Sequence, residues 1–172
     1  MQRFSQLLEQ ATACVPAEYF QLPIDGQEAP IYRERVYCYE LYHQLRAIWP
    51  QDSQFSLAGE VDKSGHPLIR GNGLDNCKPD FLVHIPGDMG GNFAVIEVKP
   101  IRAQAADVQK DITTLSNFVT YAQYEKAIYL FYGRLPDGGG IEVAQKALRN
   151  GELPEIEIWH HAAPDVPARR LR

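Results

Sequence analysis

Lys78-Pro79-Asp80-Phe81-Leu82-Val83-His84-Ile85, then the turn-rich Pro86-Gly87-Asp88-Met89-Gly90-Gly91, then Phe93-Ala94-Val95-Ile96-Glu97-Val98-Lys99 is the stretch whose reading decides the fold. Two short apolar runs around a Gly/Pro turn predict a β-hairpin. The first run alternates, with Phe81, Val83 and Ile85 on one side and Asp80, Leu82 and His84 on the other. The second is nearly all apolar, as a strand covered on both faces must be. Period two puts Glu97 and Lys99 on the face of Phe93 and Val95. Asp80 and Glu97 are 17 positions apart, enough for a strand, a turn and the return strand. In an antiparallel hairpin the start of the first strand lies beside the end of the second, so Asp80 comes next to Glu97 and Lys99. Buried charges are costly unless they are paired or bind a metal. Hard oxygen donors in this arrangement suit Mg²⁺ or Mn²⁺, with the Val98 backbone carbonyl as a further ligand. The competing reading is an ordinary Glu97–Lys99 ion pair on a solvated face, with Asp80 merely opening its strand.

The flanking sequence supplies the layers around this hairpin. Phe4, Leu7, Leu8, Ala11 and Val15 predict an amphipathic helix over 4–15, ended by Pro16, and 16–31 is expected to be an extended arm. A helix from Glu34 to Trp49 presents Tyr37, Leu41, Leu45 and Ile48 as one stripe. A strand over Gln54–Val61 precedes a loop over 62–76, with a short strand at 68–70. After the hairpin come a helix over 103–123, a buried strand at Lys126–Tyr132, a helix at 141–149 behind Gly138-Gly139-Gly140, a strand at Glu155–Trp159 and a frayed basic tail at 168–172. The expected architecture is α/β, helices layered on a mixed sheet.

At 172 residues one domain is expected, with a core at 34–132, an N-terminal helix and arm at 1–33 and an extension at 133–172. Composition is that of a globular protein, 45% hydrophobic and 23% charged. No apolar run reaches the length of a membrane span, and the first six residues meet Glu9 too soon for a secretory h-region. Three widely spaced cysteines, Cys14, Cys38 and Cys77, make neither a zinc pattern nor a disulfide framework, which points to the cytoplasm. The net charge of −5 argues against a stand-alone high-affinity nucleic-acid binder.

Pro79-Asp80 followed by Glu97-Val98-Lys99, in the order helix, three strands, helix, strand over residues 34–132, resembles the PD-(D/E)XK nuclease superfamily. The resemblance implies a restriction-endonuclease-like core and Mg²⁺- or Mn²⁺-dependent hydrolysis of nucleic acid, DNA before RNA, in settings such as restriction, repair or phage defence. Carried over by match, Asp80 and Glu97 would bind metal and Lys99 would be the catalytic lysine. A glutamate of the preceding helix often joins the site in this family; Glu40 occupies a comparable place, with Glu34 the alternative nearer the helix start. Some relatives also use a glutamine or lysine from the following helix, and Gln104 in its first turn is the candidate, Lys110 pointing roughly away. The acidic balance implies a partner protein or a homodimer to help hold the nucleic acid. A rival from another class is a catalytically silent binding or assembly module on the same fold. A third reading is a hydrolase of small phosphoesters.

Overall fold

The apolar run after the turn becomes the central strand of a six-stranded sheet in the computed structural model, which describes residues 4–60, 74, 77–150 and 153–172. The elements are α1 (Phe4–Ala13), α2 (Ala17–Phe20), α3 (Glu34–Ala47), β1 (Ser56–Gly59), β2 (Phe81–His84), β3 (Asn92–Pro100), α4 (Ala105–Ala122), β4 (Lys126–Tyr132), α5 (Gly140–Asn150), β5 (Ile156–His161) and β6 (Arg169–Arg170). Strand order follows the chain from β1 to β6. β1, β2 and β3 are antiparallel, β4 and β5 continue from β3 in parallel, and β6 closes antiparallel. A short turn joins the antiparallel β2 and β3, whereas the parallel steps need helical crossovers, which α4 and α5 supply. The protein is therefore α/β, with a mixed sheet flanked by helices.

β3 shows how this layering is written in sequence. Its residues 92–98 are all buried, because helices cover both faces. Ala94, Ile96 and Val98 join Phe4, Leu8, Leu41 and Leu45 in the core under α1 and α3. Val95, with Leu82, Tyr129 and Phe131, meets Val108, Ile112 and Leu115 under α4 and α5. Glu97 and Lys99 share the parity of Val95 and hence the α4 side. Gly138 belongs to this scheme as well: a Cβ there would collide with the Ile101 carbonyl oxygen, so the chain before α5 can press against the β3–α4 connection only as glycine.

Four details depart from the sequence expectations. Phe93 lies on the α1 side, its ring 6.0 Å from Phe4 and 5.4 Å from Phe55, because the β2–β3 register shifts between Val83 and His84 and breaks the alternation there. The arm is not wholly extended: α2 makes one turn after Pro16, anchored by buried Phe20, and a bridge pairs Leu22 with Ile31. β1 begins only at Ser56, because the chain before it turns, with the Ser53 hydroxyl and the Trp49 indole both donating to the Phe55 carbonyl. The basic tail is not frayed. β6 pairs with β5, and the Ala168 amide donates to the buried Thr12 hydroxyl at 2.9 Å. Val61 and the loop at 62–76 with its short strand lie, except for Leu74, outside the described residues. No helix among the described residues is long and apolar enough to cross a membrane.

His161 at the end of β5 makes the fold sensitive to acid. It is fully buried, shares a 2.8 Å hydrogen bond with the Tyr37 hydroxyl, and stacks edge-on to Phe20. Burial is the main cause that lowers its pKa to about 4, with the neighbouring His160 adding to the shift and the Ala163 backbone opposing it. Between about 4 and 6.5 the unfolded chain binds a proton that the folded chain does not, so stability falls as pH drops through that window. The expected loss is about 3 kcal/mol, complete near pH 4. Denaturant titrations of wild type and His161→Gln across pH 4–7 measure it: the acid limb should be shallower in the variant, and equal slopes would assign the limb to other groups.

Candidate active site

Asp80, Glu97 and Lys99 converge at the end of the sheet where β2 begins and β3 ends. Phe81 pairs with Ile96, so one step further Asp80 stands opposite Glu97. The Asp80 Oδ2 accepts the Val98 amide at 2.7 Å, which fixes the carboxylate against β3. The Asp80 carbonyl accepts the Glu60 amide at 3.2 Å, carrying the β1–β2 ladder one step further. Glu97 is buried in the continuous apolar strand, while Asp80 is half-buried. The two side chains are close enough to share a hydrogen bond when Glu97 carries a proton.

Their electrostatics follow from that crowding. Burial pushes Asp80 up to about 6, the Val98 amide pulls it down, and the Glu34 and Asp111 charges push it up again. Glu97 is raised well above the usual carboxylate range, first by burial and then by the charges of Asp80 and Asp111. Two carboxylates held this way favour a shared proton or a cation between them.

Lys99 is clamped rather than free. Its Nζ donates to Glu34 Oε1 at 2.8 Å and lies 3.4 Å from Asp111 Oδ2. Asp111 in turn accepts the hydroxyl of buried Tyr129 at 2.8 Å. Burial alone would lower the Lys99 pKa, but the hydrogen bond to Glu34 and the charges of Asp111, Glu34 and Asp80 outweigh it, and the net shift is upward. Lys99 thus stays an ammonium at any physiological pH. Its partners come from α3 and α4, so helices on opposite faces of the sheet meet at this end and hold one lysine between them.

These groups line a cleft of about 340 Å³. Among the described residues its carboxylates are Glu34, Glu60, Asp80, Glu97 and Asp111. Arg35, Lys78 and Lys110 add positive charge around Lys99. Among the described residues no three or more His, Cys, Asp or Glu side chains assemble into a metal cage. The donor set fits Mg²⁺ nonetheless, because that ion keeps several waters and takes only one or two carboxylates from a protein. Asp80 and Glu97 would hold it. The Val98 carbonyl leaves β3 on the same edge as the amide that binds Asp80 and would be the third protein oxygen.

Two expected members are not brought to the cleft. Glu40 accepts a 2.6 Å hydrogen bond from Gln44, one turn on along α3. The carboxylate that arrives is Glu34, one turn before Cys38 and so at the head of the buried stripe of Tyr37, Cys38, Leu41 and Leu45. Gln104 is exposed at the N-cap of α4. Asp111, almost two turns deeper, reaches Lys99 instead, and Lys110, expected to face away, also lines the cleft. Asp111 carries a readable signal, a carboxylate set between Val108 and Ile112 on the side of α4 that turns to the core. Comparison of the chain with protein-family models, with curated proteins and with solved structures finds no match in any of the three.

Proposed function

We propose that this chain is a metal-dependent phosphodiesterase acting on nucleic acid, DNA before RNA, built on a restriction-endonuclease-like core. The observation that carries the reading is the convergence of Asp80, Glu97 and Lys99 on one face at an open cleft, two carboxylates against one permanently charged lysine. The element order α3-β1-β2-β3-α4-β4 supports it further. A bound Mg²⁺ or Mn²⁺ would polarise the phosphate and lower the pKa of a coordinated water. Asp80 and Glu97 hold the site's negative charge in place, Asp80 being oriented by the Val98 amide. Glu34 and Asp111 fix the direction of the Lys99 ammonium, which can donate to the attacking water and offset charge that builds on the phosphate oxygens. Arg35 and Lys110 at the mouth favour a phosphate over a neutral ligand.

One observation favours the silent-module reading: Lys99 is already engaged by two carboxylates, which a merely structural lysine would also do. A cleavage assay separates the two. Purified protein with Mg²⁺ or Mn²⁺ is offered single- and double-stranded DNA and RNA, with Lys99→Ala in parallel. Cleavage by wild type but not by the variant is the expected result. No cleavage of any substrate by wild type would overturn the hydrolase reading in favour of the module.

A further inference from the structure

Four residues of α3 outside its buried stripe share a second face. Arg35, Tyr39, Tyr42 and Arg46 follow at spacings of four, three and four, so they form one row about 16 Å long. Arg35 lines the cleft, and its guanidinium is 3.5 Å from Glu60 at the rim. Tyr39 is 63% exposed, unusually open for a large aromatic on a helix that packs against the core. Tyr42 lies nearly parallel to Phe81, with ring centroids 6.3 Å apart and planes 16° apart. A groove of about 450 Å³ runs past Tyr39 and along Tyr42, which packs on β1 with its hydroxyl donating to the Leu57 carbonyl at 3.4 Å, and Phe81 floors it. Its far wall is Gly59, which contributes no side chain. The groove and the cleft share Glu60 and Asp80, so the two adjoin at these residues.

We infer that this row and groove form a track for single-stranded nucleic acid leading into the cleft, an inference that rests on the hydrolase reading above. The chemistry is specific to that occupant. Aromatic faces interleaved with arginines offer bases a stacking platform and phosphates a counter-charge in the same row. The groove volume suits a base or nucleoside. In a duplex the bases are stacked and paired, so their faces are not free to stack on a tyrosine. The track therefore sets a preference for unpaired strands or frayed ends.

Fluorescence anisotropy tests this with labelled oligothymidine and with its duplex on oligoadenine, in EDTA so that nothing is cut. Tyr39→Ala should weaken oligothymidine binding by about tenfold, the loss of one stacked base. Tyr42→Ala should do the same, with melts as a control because Tyr42 packs on Phe81. Tyr39 is too exposed for its loss to unfold the chain, so one arm remains decisive. Arg46→Glu should weaken binding and flatten its salt dependence. Gly59→Leu should fill the groove without removing either tyrosine: a Cβ there meets the Asp80 carbonyl oxygen at 3.6 Å and the Tyr42 ring at 3.8 Å, so the added side chain lies against Tyr42, and melts check that the fold is kept. Oligothymidine binding that is unchanged in Tyr39→Ala and Gly59→Leu, or weaker than duplex binding in wild type, would overturn the track. Cleavage by wild type that Tyr39→Ala leaves equal on both substrates would overturn the track and keep the hydrolase. Tyrosine-dependent binding without any cleavage would support the track and overturn the hydrolase.

Discussion

Replacing Lys99 by alanine is expected to lower the cleavage rate by at least about a hundredfold while leaving divalent-ion affinity nearly unchanged. In the proposed mechanism the ammonium is not among the metal's oxygen donors, so its loss would remove an interaction that grows only as charge develops on the phosphate. The fold will feel the change too. Glu34 and Asp111 lose their shared cation, and the Asp111 side chain is only 9% exposed. A destabilisation of about 1–3 kcal/mol is expected from the unpaired carboxylates. This gives the experiment its control. Lys99→Ala with Asp111→Asn removes the stranded charge and should recover much of the melting temperature but none of the rate. Rates are compared at saturating Mn²⁺, well below both melting transitions. Equal cleavage by wild type and Lys99→Ala would reduce the lysine to an ion-pair partner.

The second large effect is on metal-linked stability. Mg²⁺ or Mn²⁺ at about a hundredfold excess over Kd should stabilise wild type by about 2.7 kcal/mol, a rise of roughly 5–10 °C in Tm for a chain of this size. Asp80→Asn and Glu97→Gln should each abolish that rise. Without metal the sign reverses for Asp80. Its folded pKa of about 6 lies above the unfolded value, so the protonated form contributes stability that is lost as pH rises through about 6. Asp80→Asn cannot lose it, and its amide oxygen can still accept the Val98 amide. The metal-free variant should therefore melt no lower than wild type at pH 8, and the two should coincide below pH 4. Calorimetry at both pH values, with and without the ion, measures this. A metal-induced rise of equal size in Asp80→Asn would rule out this site as the metal's.

What could be read from sequence divides along a physical line. The hairpin is legible because its three signals are local: alternation in 79–85, a nearly all-apolar run in 93–99 and turn residues between them. The pairing of Asp80 with Glu97 follows from that hairpin alone. The clamp on Lys99 was harder, because Glu34 is 65 positions from it in sequence and arrives through the packing of α3. On a helical wheel Glu40 and Glu34 differ by about a third of a turn, and only the centre of the buried stripe tells which one reaches inward. Gln104 misled for a related reason: the start of α4 is solvent-facing, and the helix enters the core only from Val108 onward. The tail is hard to read because two adjacent arginines look merely solvated, whereas their backbone pairs with β5 and the Arg170 guanidinium reaches Glu155 and the buried Glu157.

That two-residue strand has a consequence for how copies of this chain meet one another. Parallel strands rich in Ile, Leu and aromatics are templates for uncontrolled pairing whenever their outer row of amides and carbonyls is bare. β6 occupies that row on β5, with Arg170 at Trp159 and Arg169 at His160. Beyond it the Leu171 amide still donates to the Ile158 carbonyl at 2.7 Å. At two residues β6 is itself too short to be a good template, and the Arg170 guanidinium ties it down through Glu155 and Glu157. The protein thus carries a guard against aggregation at the parallel end of its sheet.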